Sequence, residues 1–236
     1  SNAVGGVVNI IDNRIPIIVP DMCATGKTRL SIDTVSNDRS GGGAVNVALS
    51  ENVVLHVDGY YRRTGNYSIP GFSESAALRA LEEEGEHEEQ FGSVENSDVD
   101  NKGGTFGAGW IGENANFGVS FNINDSDYGV PGHGAHGEEE VEGAEEAVRI
   151  NLDQKRFDLK GNLYQNFLVF EEARLRFGYA DYKHIELEGA EQGTSFNNKG
   201  WEGRFELIQK MIGDVHGSMG IQLRDREFSA IGEEAF

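Results

Sequence analysis

A period of two in hydrophobicity returns from one end of this chain to the other, and it limits the fold more than any other feature. Leu30 and Ile32 alternate with Ser31 and Asp33, Val45, Val47 and Leu49 with Asn46, Ala48 and Ser50, and Val53, Leu55, Val57 and Tyr61 with His56, Asp58 and Tyr60. The pattern carries Phe106, Ala108 and Trp110, then Phe117, Val119, Phe121 and Ile123. It resumes at Val148, Ile150 and Leu152, then changes phase near Lys155 before Phe157, Leu159 and Leu163, which predicts a bulge. Ala173, Leu175, Phe177 and Tyr179 follow, then Trp201, Phe205 and Leu207, then Val215, Met219, Ile221 and Leu223. Side chains two apart share one face of a strand, so each run predicts a strand with a single apolar face.

The links between runs come in two kinds. Short ones fall near Glu51-Asn52, Glu113-Asn114, Gln165-Asn166 and Gly213-Asp214, and longer ones near 36–42, 64–104, 125–146 and 186–199. Short and long alternate, which puts them at opposite ends of an up-and-down sheet, as in transmembrane barrels with short periplasmic turns and long external loops. The predicted class is all-β: an antiparallel up-and-down transmembrane β-barrel, partial, of about nine strands. An odd number leaves closure to further strands, so the chain reads as a piece cut at both ends. A soluble β-sandwich, the competing fold, needs no such asymmetry of links. In the barrel Ala173, Leu175, Phe177, Tyr179, Phe205, Leu207, Met219, Ile221 and Leu223 face lipid, and Arg174, Arg176, Arg204, Glu206, His216 and Gln222 face the lumen.

Composition narrows the chemistry. With 20 basic against 40 acidic residues the formal charge is −20, the wrong sign for a phosphate backbone, so no nucleic-acid partner is expected. Cys23 is the single cysteine, so any metal site must use histidine and carboxylate. No run of about 18 apolar residues marks a transmembrane helix, which leaves a β-barrel open because its apolar residues are spread over alternate positions.

Those donor types concentrate in one stretch, Asp125-Ser-Asp-Tyr-Gly-Val-Pro-Gly-His133-Gly-Ala-His136-Gly-Glu138-Glu139-Glu140. Two histidines three apart among glycines fold readily around one ion, and imidazole with carboxylate is the donor set zinc takes where thiolate is absent. His87 lies in a second acidic run, Leu81 to Gln90, within a link on the same side of the sheet. The candidate metal ligands are therefore His133, His136, Glu138, Glu139, Glu140 and His87, with His184 near the outer rim as a relay position. The simpler reading of both acidic runs is solvated loop. His56 and His216 read as hydrogen-bonded residues near the periplasmic end.

Tyr128-Gly-Val-Pro-Gly-His133, continued by His136 and by Val148-Arg-Ile-Asn-Leu-Asp-Gln-Lys-Arg-Phe-Asp-Leu159, resembles the zinc-uptake branch of the TonB-dependent outer-membrane receptors. Ser1 to Pro16, with Gly5-Gly6, a β-branched run and Asn13-Arg-Ile-Pro16, resembles the end of the plug domain in such receptors. The resemblance implies residues 1–20 as the plug end and 21–236 as the first part of the barrel, in the bacterial outer membrane. It implies import of a metal ion, zinc first, as transported ligand and not as catalyst, with outer-membrane lipid and the TonB complex as partners. A receptor of the same build for a siderophore or other organic ligand is the first alternative. A secreted soluble β-protein binding calcium or sugar is the second.

Other motifs carry less. Gly107-Ala-Gly-Trp-Ile-Gly112 spells a dinucleotide fingerprint but precedes a strand, where that chemistry needs a helix N-terminus. Ala24-Thr-Gly-Lys-Thr28 has Asp21 where a phosphate-binding loop needs its first glycine. Asp98-Val-Asp-Asn-Lys-Gly103 begins like a calcium loop, yet Gly109 stands where the bidentate glutamate belongs. No nucleophile elbow or helix-borne histidine pair is present, so no enzyme is expected.

Overall fold

The computed structural model describes residues 12–79, 91–131, 147–189 and 191–232. In chain order these form β1 (Ala24–Ile32), β2 (Arg39–Ala48), β3 (Val53–Arg63), β4 (Tyr67–Phe72), a single helical turn α1 (Ala76–Arg79), and β5 (Phe91–Val94). Then come β6 (Val99–Ile111), β7 (Ala115–Gly129), β8 (Val148–Leu163), β9 (Phe170–Glu188), β10 (Glu191–Gln209) and β11 (Ser218–Ile231). Nine strands make one antiparallel sheet in the order β1-β2-β3-β6-β7-β8-β9-β10-β11, and β4 pairs with β5 in a small separate sheet. The large sheet is up-and-down and not closed, with β1 and β11 at its two edges.

The register turns the period of two into continuous rows. Val45 stands opposite Val57, and the row continues through Phe106, Phe121, Phe157 and Tyr179 to Trp201. Next to it run Val47, Leu55, Ala108, Val119, Leu159, Phe177, Gly203 and Leu223. Directly opposed apolar pairs each contribute roughly 0.2–1 kcal/mol, and a slip of one residue would send a whole strand's set to the other face. On that other face His56, Gly107, Ser120, Asp158, Gly178, Glu202 and Arg224 form the matching row. The lipid-facing and lumen-facing sets expected on β9 to β11 thus separate onto two faces, except His216.

Among the described residues nothing covers the apolar face. Phe106 is 53% exposed and Ile221 59%, whereas Ile15, Val54 and Ile150 are the buried apolar residues among those described. Above the row ending at Trp201 the same face turns polar: Lys155 stands opposite Asp181, and Asp181 opposite Lys199. The apolar area is therefore a belt with a charged border, on a sheet one layer thick. A soluble sandwich would set a second large sheet against that belt, and none is found among the described residues.

Three expectations need correction. The link foreseen over 186–199 is mostly strand: β9 and β10 have 19 residues each, and only Gly189 and Ala190 stand between them. Just beyond the belt the same face carries Asp181, Lys183, Asn197 and Lys199, and on β10 it stays polar through Ser195, so these strand ends lack the apolar contrast that marks a strand in sequence. The contrast of link lengths consequently rests on 64–98 and 130–147, since 210–217 at the opposite end is longer than either 33–38 or the β9–β10 link. Second, β8 runs in unbroken register with both neighbours, so there is no bulge near Lys155. The phase changes because the apolar residues change face: Phe157 and Leu159 lie in the belt, while Ile150 and Leu152 point to the opposite side. Third, Val215 and His216 precede β11 and belong to the turn after β10, where Val215 bridges Ile212.

Candidate functional site

The polar face is where the sheet meets the rest of the chain. Residues 12–20, without regular secondary structure, reach the inner side of β6 and β7, and the glycines there make the room. A Cβ on Gly107 would stand 1.9 Å from the Arg14 carbonyl oxygen, and one on Gly109 would stand 2.2 Å from that of Pro16. The spelling that resembles a dinucleotide motif is thus a strand whose glycines admit another backbone. Ile15, 4% exposed, fills the space beside Gly118. Arg14 joins Asp12 at 2.7 Å and reaches Asp158 on β8 at 3.7 Å. Burial pushes the Asp12 carboxyl up, but hydrogen bonds from Arg14 outweigh it and hold the carboxyl below its ordinary range. His56, also on this face and buried, lies 2.7 Å from both Asn46 Oδ1 and Asp58 Oδ2, which is the hydrogen-bonded role expected of it.

At the end of the sheet where 64–98 and 130–147 leave it, the two link roots are joined. Asn96 donates to the Val130 and Val148 carbonyls at 3.1 and 2.7 Å. Arg149 grips both oxygens of Asp98 at 3.0 Å and also bonds Asp127. Hydrogen bonds from Arg149 hold the Asp98 carboxyl below its usual range, against the opposing effect of burial. The calcium-loop reading of 98–103 is lost here, because Asp98 serves Arg149 and Asp100 accepts from Tyr61 at 3.0 Å within a strand.

His184 lies at this same end, on the polar face of β9, opposite Leu152 on one side and Phe196 on the other. Its ring centroid is 4.9 Å from that of Phe196 and 6.2 Å from that of Tyr182, and Phe196 lies 6.5 Å from Phe228. The change of face on β8 puts Leu152 on this side, directly opposite His184. His184 Nδ1 is 3.2 Å from the Tyr182 hydroxyl. Its Nε2 is buried with no hydrogen bond, although Glu186 Oε1 lies 3.3 Å away out of alignment.

His133, His136, Glu138, Glu139, Glu140 and His87 lie outside the described residues. Their flanks, however, leave one end of the sheet side by side and are stapled by Asn96, so both histidine-bearing stretches start from a common base. Among the described residues no three His, Cys, Asp or Glu side chains converge to hold an ion. His184 is accordingly a position with one carboxylate neighbour and a ring cluster, which sequence reasoning did not foresee. The cluster gave no period-two signal of its own, since its rings come from β9, β10 and β11 and meet only through register. No family model matches this chain.

Proposed function

We propose that this chain is part of a TonB-dependent outer-membrane receptor that imports a metal ion, zinc in the first instance. Residues 1–20 are the end of its plug, and residues 21–236 belong to a barrel closed by further strands. The observation that carries the reading is the bare apolar belt, bordered by charge, on one face of an up-and-down sheet whose opposite face is polar. Lipid is the natural cover for such a belt, since exposed apolar area this continuous is rare on soluble chains. A peptide segment seated on the polar face, as 12–16 is, suits a lumen that holds a plug. His133 and His136, with a carboxylate from Glu138 to Glu140 and His87 from the neighbouring loop, capture the ion outside. His184, whose Nε2 makes no hydrogen bond and has Glu186 beside it, lies on the way inward. The complex of TonB then acts on the plug, and no bond-making chemistry occurs.

The test is calorimetry of the intact receptor with zinc, beside the His133→Ala/His136→Ala double variant. A weaker isotherm for the variant supports the metal reading, and an unchanged one rejects it. The organic-ligand receptor is the second reading, and the ring cluster of Tyr182, His184, Phe196 and Phe228 favours it, because aromatic faces at the outer end suit an organic ligand better than a bare ion.

A further inference from the structure

We infer that the polar wall of β8 to β11 is a binding site for a small oxyanion, a polycarboxylate or a phosphate compound. The chain carries twice as many acidic as basic residues, 40 against 20, yet the hollow in this wall is lined by Arg156, Lys160, Arg176, Arg204, Arg224 and Arg226 beside only Asp158, Glu202 and Asp225. Lys160 stands directly opposite Arg176, and Arg176 directly opposite Arg204, so cations occupy three neighbouring strands at one level. Like charges set opposite each other in a sheet destabilise it unless something neutralises them.

The carboxylates nearby do not suffice. Arg204 bonds Glu206, and Arg156 forks onto Asp158 at 2.8 Å. Arg176 instead donates to the Gly161 and Leu175 carbonyls and to Asn162 Oδ1. Arg226 donates to Asn198 and lies 5.6 Å from the Phe228 ring. Among the described residues no carboxylate comes within ion-pair distance of Lys160, Arg176, Arg224 or Arg226. These side chains border a hollow of about 620 Å³ on the polar face. That is the size of a small-molecule site. Guanidinium groups take carboxylate and phosphate oxygens through paired hydrogen bonds, so the wall recognises planar or tetrahedral oxyanions.

The inference rests on the charge arrangement of this wall and not on which ligand the receptor imports. The test is titration of the intact receptor in detergent with citrate and, separately, with pyrophosphate. Saturable binding of either supports the site, and the better probe tells carboxylate from phosphate. Binding should weaken at least tenfold in Arg176→Gln/Arg204→Gln. It should weaken severalfold in Arg224→Gln, an exposed position whose loss leaves the sheet's hydrogen bonds intact, and should not change in Lys199→Gln on the opposite face. Absence of binding, or equal loss in Lys199→Gln, overturns the proposal. The membrane reading stands apart from that result, since substitutions in the belt test it.

Discussion

Ile15 and Gly118 are fitted to each other: a Cβ on Gly118 would stand 2.4 Å from Ile15 Cγ2 and 2.7 Å from the Ala108 carbonyl oxygen. Gly118→Val therefore drives residues 14–16 off the sheet, with an overpacking cost of about 1–3 kcal/mol. Hydrogen exchange of the Arg14 and Ile15 amides should rise well above the parent's. Unchanged exchange at those amides would show that the glycine seat does not hold the segment.

Arginine substitution should separate the two faces. Phe121→Arg or Leu175→Arg, in the belt, should cost about 2–4 kcal/mol in lipid, and Asn122→Arg on the polar face much less. Folding titrations into phospholipid vesicles measure both. Equal costs on the two faces would remove the membrane from this account.

The grip of Arg149 on Asp98 should make the link root sensitive to acid. Because the folded carboxyl titrates below its ordinary range, it adds stability above that range and loses it as pH falls through the folded value. Exchange protection of the Asn96 to Val99 amides should thus decline in acid. Asp98→Asn should lower protection at neutral pH and flatten its pH dependence. A parent and a variant with the same profile would leave the ion pair without an effect.

In the proposed receptor, zinc binding should weaken as pH falls through the histidine range, because protonated imidazole has no lone pair for a metal. Calorimetry at two pH values measures it. The His133→Ala/His136→Ala variant should lose most of that pH dependence and keep the parent's strand content by circular dichroism.

Much of the sheet was legible in the sequence, for a physical reason. In the belt one face is apolar and the other polar, and that contrast writes itself as a period of two, so the nine strands of the large sheet, their antiparallel order and their facing were readable from Leu30 to Leu223, whereas β4 and β5 were not. Where both faces are polar, as over 191–199, the contrast vanishes and a strand looks like a loop. Where apolar residues change sides, as between Ile150 and Phe157, an intact strand looks bulged. The sequence by itself therefore determined the alternation, the charge excess and the donor types that make His133 and His136 metal candidates. Tertiary structure alone decided which residues from distant strands share a level. It set His184 against Phe196, Lys160 against Arg176 and Arg204, and the Gly107 to Gly109 backbone under Arg14 and Pro16. Those relations depend on register between strands, and register is fixed only when the rows of the sheet come together.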